Sequence, residues 1–175
     1  YRSLAKLGKR RLLRGITAML KYTSYTVVFQ EVPDEVSLAF EVSGCPFKCE
    51  GCHSPHLWED VGVPLLASLA DVVEQYAPYI TCVCFMGGTQ NIDELCKALQ
   101  IAKTYHLKTC VYAGNDNWSE MADILPLTDY LKMGSYQQSL GALNSLTTNQ
   151  RFYRVEHAPL GPELIDITYL FQETK

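Results

Sequence analysis

Three cysteines stand within the stretch Cys45-Pro46-Phe47-Lys48-Cys49-Glu50-Gly51-Cys52, a C-x3-C-x2-C spacing. Thiolates this close together grip one soft metal centre, and such sets select zinc, copper(I) or iron–sulfur clusters. They do not pair off as disulfides, because one sulfur is always left over. A structural zinc site takes four protein ligands and has no opening. Three cysteines on a cube-shaped iron–sulfur cluster leave one iron without a protein ligand, and that iron takes a substrate. The zinc alternative completes its set with His53 as Cys3His, since C-x2-C-H is also a zinc fragment. Otherwise His53 and His56 sit on the loop surface or donate to sulfur from behind the ligands. Gly44, Pro46 and Gly51 help the backbone turn all three sulfurs inward.

Such a loop needs a rigid support, and the flanking sequence supplies one. Residues 24–32 are rich in Thr, Tyr, Val and Phe and read as a strand. Pro33-Asp34-Glu35 is a turn. In the next strand Val36, Leu38, Phe40 and Val42 face one side, and Ser37, Ala39 and Glu41 the other. These two strands form an entry hairpin or flank the sheet. Ser43-Gly44 then releases the chain into the cysteine loop.

Residues 57–64 read as a connecting loop. Ser68 with Asp71 is expected to cap a helix carrying Leu69, Val72, Val73 and Tyr76, stopped at Pro78. The apolar run 81–85 is expected as a buried parallel strand ending in Met86-Gly87-Gly88. Asn91 with Glu94 caps a second helix, whose apolar face is Ile92, Leu95, Cys96, Leu99 and Ala102. Residues 108–112 form the next strand, closed by Gly114, and 119–125 a short helix ended by Pro126. Residues 130–133 and 152–155 are further strands, and 163–171 are either strand or helix. Strands alternating with helices imply βαβ units and a parallel sheet. The units are too few for a closed eight-stranded barrel. The expected fold class is α/β, an open partial (β/α) barrel of parallel strands.

The chain of 175 residues is 47% hydrophobic and 19% charged, an ordinary globular composition for one domain. No apolar run approaches the ~18 residues of a membrane span. Arg2, Lys6, Lys9, Arg10, Arg11 and Arg14 take six of the 15 basic residues, leaving nine against 19 acids. That acidic body argues against a nucleic-acid surface. Residues 1–18 are expected as a basic extension, either preceding a natural start at Met19 or forming an arm for an acidic partner. Arg14 interrupts any apolar signal region. Residues 19–175 are expected as one domain. The odd count of seven cysteines, with Cys82, Cys84, Cys96 and Cys110 in apolar segments, points to reduced thiols and the cytosol. Those four read as core packing.

Together, Val42-Ser43-Gly44-Cys45, Cys49-Glu50-Gly51-Cys52, Gly87-Gly88 and Thr148-Asn149-Gln150 resemble the radical S-adenosylmethionine (radical SAM) superfamily. Within it the chain is similar to the activating proteins of anaerobic ribonucleoside-triphosphate reductases, over roughly residues 24–155. The resemblance implies an oxidoreductase with a 4Fe-4S cluster on Cys45, Cys49 and Cys52. It implies that SAM is cleaved to make a glycyl radical on the reductase catalytic subunit. A low-potential donor such as flavodoxin or ferredoxin supplies the electron, and the location is cytoplasmic. It also places Gly87, Gly88 and Thr89 at the amino group of SAM, with Thr89 standing where the family usually has Glu. Tyr112 and Gly114 are then expected beside the ribose or adenine. Lys132 either pairs with the SAM carboxylate or a cluster-side anion, or is solvated. The polar segment 145–151 either contacts the partner or forms a hydrogen-bonded turn. The runner-up activity is activation of another glycyl-radical enzyme of the pyruvate formate-lyase type. The competing class is a zinc-binding module without catalysis.

Overall fold

A computed structural model describes residues 19–172, so the basic extension 1–18 lies outside the described residues. Eight strands form one sheet: β1 (Lys21–Val28), β2 (Ser37–Val42), β3 (Val63–Pro64), β4 (Cys82–Met86), β5 (Lys108–Tyr112), β6 (Tyr130–Met133), β7 (Arg151–Ala158) and β8 (Gly161–Asp166). Their spatial order is β3-β1-β2-β4-β5-β6-β7-β8. The sheet is mixed. β2, β4, β5 and β6 run parallel in the middle. β1 and β3 on one side, and β7 and β8 on the other, are antiparallel. Connection length decides this: Pro159-Leu160 between β7 and β8 can only make a hairpin, whereas parallel neighbours need a crossover.

Two of those crossovers are helical, α1 (Leu65–Tyr76) before β4 and α2 (Ile92–Thr104) after it. The third, between β5 and β6, is not the single helix expected. It is a pair of 3-10 turns, Trp118–Met121 and Leu125–Leu127, with Pro126 unable to continue an α-helical ladder. α1 begins at Leu65, right after β3, and no side chain caps it. Ser68, expected as a cap, instead shares a 2.8 Å hydrogen bond with the Tyr22 hydroxyl. α2 starts as the sequence implies: the Asn91 side chain accepts from the Glu94 N–H at 3.2 Å. Asp93 and Glu94 in its first turn suit the positive end of the helix. Among the described residues no helix is long and apolar enough to cross a membrane.

The alternation in β2 sorts the core into two layers. Leu38, Phe40 and Val42 join Val83, Phe85, Val111 and Leu131 beneath both helices. Phe40 and Phe85 stack there with ring centroids 5.8 Å apart. Each such ring contributes about 1.5–3 kcal/mol by leaving water. On the other face lie Ala39, Cys82, Cys84, Cys110, Tyr130 and Phe152, with Cys84 and Cys110 directly paired across β4 and β5. Those three thiols are fully buried, while Cys96 is half-buried on α2. No disulfide joins any cysteine among the described residues.

At the amino ends of the parallel strands one buried carboxylate collects its neighbours. Glu35 accepts from the Lys108 ammonium, from the Tyr130 hydroxyl at 2.8 Å and from the Thr81 hydroxyl at 2.6 Å. Burial alone would raise the Glu35 pKa. The hydrogen bonds from Lys108, Thr81 and Tyr130, with the charge of Lys108, outweigh it and hold the carboxyl below its usual value. Lys108 is raised in turn, chiefly by its bond to Glu35. Tyr130 is pushed up to about 12, first by burial and then by the carboxylate.

Candidate metal centre and cofactor cavity

Each parallel strand delivers a loop to the carboxyl end of the sheet, where ligands of open α/β sheets collect. The first is the cysteine loop. Its two legs are pinned together, since Gly44 N–H donates to the Glu59 carbonyl at 3.1 Å and Cys45 N–H to the Leu57 carbonyl at 2.9 Å. Between the legs the backbone reverses through left-handed residues at Lys48 and Gly51, with φ of 45° and 71°. Cys52 N–H donates to the Cys49 carbonyl, and Ser54 N–H reaches the Cys52 sulfur at 3.4 Å. An N–H aimed at sulfur stabilises a thiolate, as cluster ligands require.

Cys45, Cys49 and Cys52 all line one cavity of about 430 Å³. Among the described residues no three His, Cys, Asp or Glu side chains are gathered into a ready metal cage. The three thiols share a wall instead, each half-buried on a loop, where side-chain rotation is inexpensive. His53, the fourth ligand of the zinc alternative, packs its ring against Tyr136 at 5.5 Å. His53 lines the same cavity, and the three soft sulfurs beside it suit a cluster with one open iron.

The opposite walls come from the next strands. Gly87 and Thr89 follow β4, Tyr112 and Gly114 end β5, and Lys132 stands on β6; all five line the cavity. Gly88 does not. A Cβ there would point at Leu95 and Leu20, 3.3 and 3.4 Å away, so Gly88 faces the helical core layer. Gly114 is required by a close approach: a Cβ would fall 2.5 Å from the Phe47 ring. Phe47, between the first two cysteines, therefore seats the loop directly on the end of β5.

Tyr112 donates its hydroxyl to the Glu31 carbonyl, and burial raises its pKa far above normal, so it remains a phenol. Lys132 donates to the Gly134 carbonyl at 3.0 Å. Burial lowers its pKa to about 8, while the nearby sulfurs of Cys49, Cys52 and Cys45 and the Asp116 carboxylate pull it upward. Several side chains of segment 145–151 bond to nearby backbone carbonyls. Gln150 donates to the Gly134 carbonyl at 3.2 Å, Asn149 to the Ser135 carbonyl at 2.9 Å, and Arg151 to the Thr148 and Gln150 carbonyls. These bonds make a hydrogen-bonded turn that fixes the loop after β6. Sequence reasoning missed Glu41, which also lines the cavity. The signal was present: alternation puts Glu41 on the face opposite Phe40, four residues before Cys45.

A thiol triad on a pinned loop, backed by a cavity at the carboxyl end of a sheet, is a donor set that an iron–sulfur protein can use. The chain belongs to the 4Fe-4S single cluster domain family, whose model matches residues 36–155. That span runs from the start of β2 through most of β7 and contains every residue of the cysteine loop. No curated protein and no solved structure matches the chain.

Proposed function

We propose that this chain is a cytoplasmic radical SAM activating enzyme, folded as a partial (β/α) barrel. Its partner is the catalytic subunit of an anaerobic ribonucleoside-triphosphate reductase. The observation that carries the reading is the sharing of one cavity by Cys45, Cys49 and Cys52 with the ends of β4, β5 and β6. The cysteines hold the 4Fe-4S cluster. Gly87 and Thr89 border the amino-acid end of SAM, Tyr112 and Gly114 its nucleoside, and Lys132 its carboxylate. Gly88 acts indirectly, by letting the turn pack against Leu95. A 4Fe-4S cluster held by Cys45, Cys49 and Cys52 would supply single electrons, drawn from flavodoxin or ferredoxin, for the reductive cleavage of SAM and hydrogen-atom removal from the partner's glycine. The chain's own part is positioning and exclusion of water. Leu57, Met86 and Leu143 give the cavity apolar walls, and Phe47 closes the joint between loop and sheet.

The test is anaerobic reconstitution with iron and sulfide, followed by addition of SAM and dithionite. A brown protein that forms methionine and 5′-deoxyadenosine only with reductant supports the reading. A colourless protein holding one zinc and leaving SAM intact overturns it.

A further inference from the structure

The sheet has two long edges, β8 on one side and, beyond the two-residue β3, β1 on the other. They are finished differently. β8 carries devices that discourage a further strand: Pro162 has no N–H to offer, and Glu163 and Asp166 put charge on the edge. β1 carries neither device. No charged residue stands between Lys21 and Glu31, and Thr23, Tyr25, Thr26, Val27 and Val28 favour extended backbone. β3 pairs only with Lys21 and Tyr22, so among the described residues no strand pairs with the outer side of 23–28. The one irregularity of β1, between Tyr22 and Ser24, lies toward the end that β3 covers. Phe29, just past the strand, is 70% exposed, and Thr23, Ser24 and Thr26 are exposed beside it. A bare, uncharged edge of this kind is a template for another strand.

The occupant that fits is a second copy of β1. In an antiparallel pair, residues directly opposite each other share a face. Turning the strand about a twofold axis through Thr26 meets this condition throughout. Tyr25, on the helical face, meets Val27 of the second copy, and Ser24, on the cavity face, meets its Val28. Thr23 meets its Phe29, which covers the exposed ring. The charges agree. Nothing charged lies within the paired stretch, and the first charges beyond it, Lys21 (bridged to Asp60) and Glu31, are of opposite sign and equally far from Thr26. Each end therefore brings unlike charges toward one another. We propose that two copies of this chain associate by antiparallel pairing of their β1 strands into one continuous sheet. Such a contact is self-complementary and closes on itself. It uses up the bare edge and leaves the guarded β8 edges outermost. It does not depend on the SAM reading.

The experiment is sedimentation velocity of the full chain over a concentration series. Wild type is expected to pass from monomer to dimer. Hydrogen exchange over 23–29 should slow as it does, with 161–166 unchanged. Thr26→Lys and Thr26→Glu each set like charges across the axis and should weaken association by about tenfold or more. Mixed in equal parts, the two variants should associate at least as tightly as wild type, because unlike charges then meet at the axis. Ile165→Lys on β8 should leave association unchanged. Thr26 is exposed, so its replacement spares the core. The exchange measurement on wild type decides should neither variant fold. A chain that stays monomeric throughout, as it would if another of its own segments occupied the edge, overturns the proposal. So does a dimer indifferent to both Thr26 variants, a mixture no tighter than either variant alone, or growth of species beyond the dimer.

Discussion

At their amino ends the four parallel strands close around Glu35, whose two oxygens already hold Lys108, Tyr130 and Thr81. At their carboxyl ends the same strands open onto a cavity in which thiols, a carboxylate and a lysine stand without closing on one another. Both ends bring polar groups together against burial. Only at the amino end do the groups satisfy each other, and satisfied groups hold a structure rather than act on a ligand. The two halves of one sheet thus divide labour, as they do in other folds built on parallel strands.

The sharpest way to break this comparison is at Cys49. Cys49→Ala should drop reconstituted iron from about four per chain to near zero, whereas Cys84→Ala, in the buried layer between the ends, should leave it unchanged. Iron and sulfide assays on both variants decide; loss in Cys84→Ala would extend the metal site into the sheet. Next in size, Gly114→Val should force Phe47 off its seat and reduce cluster uptake by more than half. Gly114→Val combined with Phe47→Ala should recover much of it, and additive losses would show that the two residues do not act through contact.

At the amino end, Glu35→Gln should leave iron content untouched and cost about 2 kcal/mol in denaturant unfolding, because Lys108 loses its charged partner and the new NH2 group replaces one of the two accepting oxygens. The folded-state pKa of Glu35 lies below its ordinary value. Its contribution is therefore present above that ordinary value, 4.5, and fades as pH falls through the folded-state pKa. Lys108 works in the opposite sense: raised on folding, it contributes fully below 10.5 and loses this as the medium turns strongly alkaline. Stability that declines equally with acid in wild type and Glu35→Gln would remove Glu35 from the account. The smallest effect belongs to neither end. Asn91→Ala should cost about 1 kcal/mol through the lost cap of α2 and leave iron unchanged.

The sequence reading succeeds where physics is local. The β2 alternation, the apolar run of β4 and the Asn91–Glu94 pair each sit within a few residues of what they determine. It fails where distant chain decides. The Ser68 cap yields to a helix start fixed by β3, and Ser68 turns to Tyr22, 46 positions away. Glu35 reads as part of a turn because its partners Lys108 and Tyr130 lie 73 and 95 positions downstream. Gly88 cannot be told from Gly87 by type; only the path of the chain sends one toward the cavity and the other toward Leu95. The cysteine spacing was legible at once, since three cysteines in one short loop need no tertiary information to share a cavity wall.

The pinned legs of that loop have a thermodynamic consequence. Bonds from Gly44 to Glu59 and from Cys45 to Leu57 bring its ends together through backbone groups. The closure entropy of the segment is thus settled by the polypeptide alone. Such entropy grows only as the logarithm of contour length, so doubling the loop costs about 0.6 kcal/mol. On that count alone, extra length inside the loop costs the sheet little, and what constrains the stretch from Cys52 to Leu57 is local, chiefly the Ser54 N–H held to the Cys52 sulfur.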